Sequence, residues 1–304
     1  MLLLEDVIEE YLYHCLARGF TKKTLINKRQ EYKQLKLYLK EKRGITELDC
    51  VTSFDLKAYI RSKRQSGLQP QSIVSMAKMV KAFFNWCVEE EYLVESPMKK
   101  VALPQVPKRV KDGLSIEDVQ AMIDCFTFKT YLEARNKAIL AMMADCGLRA
   151  IEIRQLTNKD LQDTSILING KGNKQRMVSI SPELKKVLIK FDRIKKSHFD
   201  TRLGADEPYF LNYKGNEMSH VGLYNAVQLA KERCNITKKV SPHDFRHFYS
   251  VESINQGLDI YSLSRLLGHA DVSVTQRYLE SMKDDALLNK SITASPLMNI
   301  KRDK

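Results

Sequence analysis

Residues 164–181 read TSILINGKGNKQRMVSIS. Two short β-rich runs, Ser165 to Ile168 and Met177 to Ile180, flank Gly170, Gly172 and Asn173, residues that turn the chain at little steric cost. This spacing predicts a β-hairpin. Elsewhere the apolar residues recur at helical intervals, so the fold class is mainly α with a small β-sheet, an α+β protein.

Upstream of the hairpin, helices are predicted over about 115–127 and 131–146, the first opening on a capping-box-like pair, Ser115 and Asp118. Downstream, helical patterns cover 182–196, 219–234, 244–256, 259–267 and 273–281. Ahead of all these lies SPMKKVALPQVPKRVKDG, residues 96–113, with three prolines and a concentration of basic residues. Proline lacks the amide donor and fixes φ, so this stretch reads as an extended basic linker and a domain boundary. Residues 1–95 then form a separate helical domain, with helices predicted over 2–18, 22–43, 53–66 and 70–92. Its candidate core residues include Leu4, Ile8, Tyr11 and Leu12, then Leu35, Leu37 and Leu39, then Met76, Met79, Val80, Phe83 and Phe84. Thr21 and Ser53 stand where N-caps belong, and Gly19, Gly44 and Gly67 where helices stop.

A chain of 304 residues suits two domains, and 43% hydrophobic content with 12 Gly and 8 Pro supports packed cores and excludes a disordered or fibrous chain. The 50 Lys and Arg exceed the 37 Asp and Glu by 13, and residues 1–105 and 106–304 are each net basic. A polyanion touching both parts is the natural partner, nucleic acid first; a generic basic surface is the plainer alternative. The opening MLLLEDVIEE has only four apolar residues before acids arrive, and no stretch approaches the roughly 18 apolar residues of a membrane span. A cytoplasmic protein without membrane partners is expected. Cys15, Cys50, Cys87, Cys125, Cys146 and Cys234 are scattered without a CxxC pair, and are expected to be reduced and mostly buried.

The chemistry-bearing residues are Arg149 in CGLRAIE, Lys171 in NGKGNKQR, His243 and Arg246 in SPHDFRH, His269 in LLGHADVS and Tyr278 in TQRYL. Singly, each has an ordinary explanation: a surface ion pair, a solvated turn lysine, a packed tyrosine. The phosphate-loop patterns GxxxxGK[ST] and GxGxxG are absent. His243 and His247 are four residues apart, but the metallopeptidase motif HExxH becomes HDFRH, with the cationic Arg246 between them, so no metal is expected. Taken together, two arginines, two histidines and a lysine make a pocket dense in hydrogen-bond donors, which suits a phosphodiester on its way to a pentavalent state. With a tyrosine to attack, phosphoryl transfer needs neither metal nor other cofactor.

The blocks CGLRAIEIRQL, INGKGNKQRMVSI, SPHDFRHFYS and LLGHADVSVTQRYL resemble, in order and spacing, the signature blocks of the phage-integrase family of tyrosine site-specific recombinases, especially its short Xer-like members. The resemblance covers nearly the whole chain, since residues 1–95 resemble the family's helical SAM-like core-binding domain. It implies a catalytic recombinase domain over 114–284 and assigns Arg149 and Arg246 to clamping the non-bridging oxygens of the scissile phosphate. It makes Lys171 the general acid on the leaving 5′ oxygen and Tyr278 the nucleophile that forms a 3′-phosphotyrosyl bond. His243 is implied to assist proton transfer and phosphate binding, His269 to hydrogen-bond a phosphate oxygen, and Glu152 to orient the cations.

The block around Phe248, Tyr249 and Ser250 departs from the Thr-Phe-Ala-like run of many relatives, which alters packing but leaves His243 and Arg246 in place. No arm-binding domain is expected ahead of Leu4. The resemblance implies that residues 285–304 dock on a neighbouring protomer; their apolar Leu287, Leu288, Leu297, Met298 and Ile300 agree with that, and a frayed tail is the alternative. The implied partners are duplex DNA with inverted-repeat core sites and further copies of the chain, a dimer per site and a tetramer in synapsis, with a second recombinase or accessory protein where one is needed. A DNA-binding protein of this fold without strand exchange, or a type IB topoisomerase-like activity, are the competing readings.

Overall fold

The computed structural model describes residues 2–106, 113–170, 175–199, 204–269 and 271–279, with 277–279 described by backbone alone. The chain divides into two compact units, residues 1–109 and 110–304. Lys171, Gly172, Asn173 and the tail 285–304 lie outside the described residues.

The first unit is built from α1 (Leu4–Ala17), α2 (Lys22–Arg43), α3 (Ser53–Gln65) and α4 (Pro70–Glu89). Thr21 caps α2 by accepting the Thr24 amide at 3.3 Å, as its side-chain chemistry predicts. At α3 the cap is Thr52 rather than Ser53, because Asp55, three residues on, closes a reciprocal box. The Asp55 carboxylate accepts from the Thr52 hydroxyl at 2.6 Å and from its amide at 3.0 Å. α4 stops at Glu89, short of the predicted residue 92, where Glu91 turns the chain with a φ of 62°. Tyr32, Leu35, Leu39, Phe83 and Phe84 are fully buried between these helices. Leu37 is instead 51% exposed, since two residues along a helix turns a side chain to the opposite face. Met98 and Val101, in the proline-bearing stretch, also pack in this core.

The second unit begins with α5 (Ile116–Asp124), capped by Ser115 and Asp118, and continues with α6 (Tyr131–Cys146) and the short α7 (Ala150–Gln155). Strands β1 (Ser165–Asn169) and β2 (Gln175–Ser179) pair antiparallel, with Ser165 opposite Ser179 and Asn169 opposite Gln175. β2 thus starts two residues before the predicted run, where the Gln175 and Asn169 side chains join at 2.9 Å. Then follow α8 (Pro182–Phe199), α9 (His220–Arg233), α10 (Pro242–Asn255), α11 (Ile260–Leu267) and α12 (Ser273–Leu279). α6 is the central helix: Ala134, Ala138, Ile139, Leu140, Met142 and Met143 are fully buried, and it packs against both α8 and α10. α8 outruns its predicted end because His198 and Phe199 pack on the Tyr131 ring, both at 4.9 Å between centroids. α10 opens two residues early, at Pro242, whose fixed φ suits a first helical turn.

All six cysteines are free; Cys15, Cys87 and Cys146 are buried, Cys125 and Cys234 half-buried. Cys50 is exposed, against expectation, because it lies in the loop between α2 and α3. Among the described residues no helix is long and apolar enough to cross a membrane.

Candidate active site

Two left-handed glycines shape the site. Gly147 ends α6 with a φ of 59°. A Cβ there would lie 2.2 Å from Cδ1 of Tyr249 on α10, so both conformation and close approach demand glycine. Its carbonyl accepts from Arg246 Nη1 at 2.7 Å. Arg149, two residues on, is extended and precedes α7. Glu152, in the first turn of α7, accepts the Arg149 amide at 2.8 Å and Arg149 Nη1 at 2.8 Å.

Gly268 ends α11 in the same way, with a φ of 65°. The last carbonyls of a helix have no partner within it and carry partial negative charge. Here arginines from three other elements supply the donors. Arg176 of β2 reaches the Leu266 carbonyl through Nε at 2.7 Å. Arg246 of α10 reaches the Leu267 carbonyl through Nη2 at 2.8 Å. Arg149 reaches the Leu267 and Gly268 carbonyls at 3.3 and 3.4 Å.

Glu152 is the carboxylate that Arg149 and Arg176 share. Besides Arg149 it takes a two-pronged contact from Arg176, Nη1 to Oε1 at 2.9 Å and Nη2 to Oε2 at 2.8 Å. Burial pushes its carboxyl up, but the hydrogen bonds from Arg176 and then from the Arg149 amide more than offset this and hold it below the ordinary range.

His269 follows Gly268 and joins α10 to α12. Its Nε2 lies 2.9 Å from Arg246 Nη2 and its Nδ1 lies 2.7 Å from the Thr275 hydroxyl. A guanidinium only donates, so Nε2 accepts and the ring proton of the neutral form sits on Nδ1, facing Thr275. Burial, followed by the charges of Arg246, Arg149 and Arg176, pushes the imidazole down to about 4.

Three guanidinium groups thus surround one carboxylate and a neutral imidazole. Arg246 is buried, and the Arg176 side chain is only 12% exposed. The Arg149 side chain, at 39%, is the one that opens toward solvent. Excess positive charge with directed N–H groups is the chemistry that suits an oxyanion.

Of the residues expected from sequence, the structure brings Arg149, Glu152, Arg246 and His269 together. His243 lies exposed in the first turn of α10, three residues ahead of Arg246. Tyr278 lies on α12, three residues after Thr275, and only its backbone is described. Arg176 belongs to the cluster and was missed. Its one signal is the period of two in β2, which puts it on the inner face with buried Val178. The Arg246 side chain of HDFRH is committed to the Gly147 and Leu267 carbonyls. Among the described residues no three His, Cys, Asp or Glu are grouped to hold a metal ion.

Such a clamp beside a tyrosine-bearing helix, in a chain that opens with a four-helix unit, defines a tyrosine recombinase, an enzyme that cleaves and rejoins DNA. The chain belongs to the phage integrase family, which residues 114–284 match, while residues 3–103 match the phage integrase SAM-like domain. It is 24% identical over 286 residues to tyrosine recombinase XerD of Staphylococcus haemolyticus, covering 92% of this chain and 95% of that protein. It is 28% identical over 277 residues to tyrosine recombinase XerC of Lactobacillus leichmannii, covering 90% and 93%. In fold it is similar to a lambda integrase dimer bound to a COC′ core site, with a TM-score of 0.71 at 13% identity, over 90% of this chain and 97% of that one.

Proposed function

We propose that the protein is a site-specific recombinase that cleaves and rejoins duplex DNA through a 3′-phosphotyrosyl intermediate, for integration or excision of a mobile element or for resolution of DNA dimers. The observation that carries this reading is the arginine clamp around Glu152 and the end of α11, tied through His269 to the helix that bears Tyr278.

Arg149 and Arg246 hold the non-bridging oxygens of the scissile phosphate and stabilise the charge of the pentavalent state. The Tyr278 hydroxyl gives up its proton to His243 as its oxygen attacks phosphorus; the bond to the 5′ oxygen breaks, and Lys171 gives that oxygen a proton. His243 assists proton transfer, His269 contacts a phosphate oxygen, and Glu152 orients Arg149. Attack by a 5′ hydroxyl from the partner strand reverses the step, restoring a phosphodiester and the free tyrosine. One ester replaces another, so bond energy is conserved and no nucleotide or metal is called for. The working assembly is a dimer on each inverted-repeat core site and a tetramer in synapsis, with residues 285–304 docked on a neighbour and a second recombinase or accessory protein where one is needed. The lambda integrase dimer on its core site supports the dimer, and the net charge of +13 supports DNA as the partner. We place the protein in the cytoplasm, on the chromosome.

The test is a nicked suicide duplex from the DNA flanking the gene, incubated in EDTA and resolved on a denaturing gel. Wild-type protein is expected to form a covalent adduct, and Tyr278→Phe to bind the same duplex without forming one. Sequence-specific binding with no adduct from either protein supports a DNA-binding protein without strand exchange. Adduct formation with plasmid relaxation but no recombinant product supports a type IB topoisomerase-like activity.

A further inference from the structure

Arg176 is engaged differently from the other two arginines of the cluster. Each of its three nitrogens already donates within the protein, two to Glu152 and one to the Leu266 carbonyl. Its side chain passes close to Gly268, where an added Cβ would meet Nη1 at 3.0 Å and Cδ and Cζ at 3.2 Å. In the hairpin it stands opposite buried Ile168, so its backbone is fixed by the ladder. Arg149 has the opposite character, with one side-chain bond to Glu152, two long contacts to α11 and a side chain open to solvent.

Glu152 therefore has two claimants. Its fork with Arg176 uses both oxygens at 2.8–2.9 Å, whereas the Arg149 guanidinium uses one. While Arg176 neutralises the carboxylate, the charge of Arg149 remains available to an incoming anion. Without Arg176, the buried carboxylate has a single guanidinium to pair with and draws Arg149 inward. The end of α11 also loses the bond that fixes Leu266, next to the carbonyls that orient Arg149 and Arg246.

We propose that Arg176 is a positioning residue for DNA cleavage: by holding Glu152 and the carboxy terminus of α11, it keeps Arg149 directed at the phosphate and His269 in register with Arg246. This inference rests on the recombinase reading above.

Single-turnover cleavage of the nicked duplex at saturating protein separates the chemical step from binding. Arg176→Met is expected to slow cleavage by about tenfold or more, with site affinity in a gel shift within about threefold of wild type. Arg176→Lys keeps the charge but not the fork, and is expected to slow cleavage as well. Because Arg176 acts through Glu152, adding Glu152→Gln to Arg176→Met should slow cleavage no further. An undiminished rate in Arg176→Met, losses that multiply in the double variant, or a loss of affinity that accounts for the whole effect each overturn the proposal. If Arg176→Met does not fold by circular dichroism, Arg176→Lys decides: slow cleavage by a folded protein supports positioning, and a wild-type rate refutes it. Failure of both variants to fold assigns Arg176 to stability alone and also refutes it. No adduct from the wild-type protein overturns the recombinase reading itself, an outcome distinct from all of these.

Discussion

His269 shows how a single side chain takes its state from its neighbours. Burial and three arginines push its pKa down to about 4, so at neutral pH the imidazole accepts from Arg246 and donates to Thr275. In the unfolded chain the same ring protonates near about pH 6.5. Between those values the unfolded state binds the extra proton. The contribution of this residue to stability is therefore complete above about pH 6.5 and declines as pH falls toward about 4. A phosphate in the clamp offsets the arginines and raises the pKa. Titration of the ¹⁵N-labelled imidazole by NMR is expected to find His269 neutral down to about pH 5 in the free protein, and to find its midpoint raised when the nicked duplex is bound. A free-protein midpoint near about 6.5 contradicts the arrangement of charges around it.

At the scale of elements, α10 carries both His243 and Arg246, and its first turn is secured by Asp244. That carboxylate accepts from the Ser241 amide at 2.8 Å and from its hydroxyl at 2.6 Å. Asp244→Ala removes both bonds and is expected to lower stability by roughly 1 kcal/mol, measured by urea unfolding. It should also slow single-turnover cleavage, because fraying of this turn displaces His243. Unchanged stability and rate would show that Pro242 alone suffices to start the helix. Most elements were readable because helical periodicity and caps are local properties: Thr21, Ser115 and Asp118 behave as their side chains dictate. What was misread depends on a residue a few places away, as with Asp55 moving the cap to Thr52, or on tertiary packing, as with Phe199 extending α8 over Tyr131. In the site, Arg149, Glu152, Arg246 and His269 were legible through their sequence blocks. Arg176 was not, because its partners lie 24 and 90 positions away in sequence, at Glu152 and Leu266. A lone arginine on a short strand otherwise reads as solvated.

For the molecule as a whole, binding and cleavage draw on different charges. The excess of 50 basic over 37 acidic residues is spread over both parts of the chain, part of it on exposed lysines such as Lys22, Lys23, Lys33, Lys40 and Lys42 of α2. Exposed cations that neutralise phosphates release counterions, so affinity falls steeply with salt. In the clamp, Arg176 and Arg246 are largely buried, Arg149 and Arg176 share the buried Glu152 carboxylate, and all three act at contact distance, where screening is weak. Raising KCl from about 50 to 200 mM is therefore expected to weaken site affinity on the order of 10³-fold, measured by fluorescence anisotropy, if six or more phosphates are contacted. Over the same range the single-turnover rate at saturating protein should change by less than about threefold, in EDTA and without nucleotide. A cleavage rate that falls in parallel with affinity would mean that the clamp is assembled only by salt-sensitive contacts to DNA, and that the arginine arrangement around Glu152 is not preformed. Strict dependence on Mg²⁺ would require ligands for an ion, which the HDFRH segment could offer only with Arg246 withdrawn from between its histidines and from the Gly147 and Leu267 carbonyls.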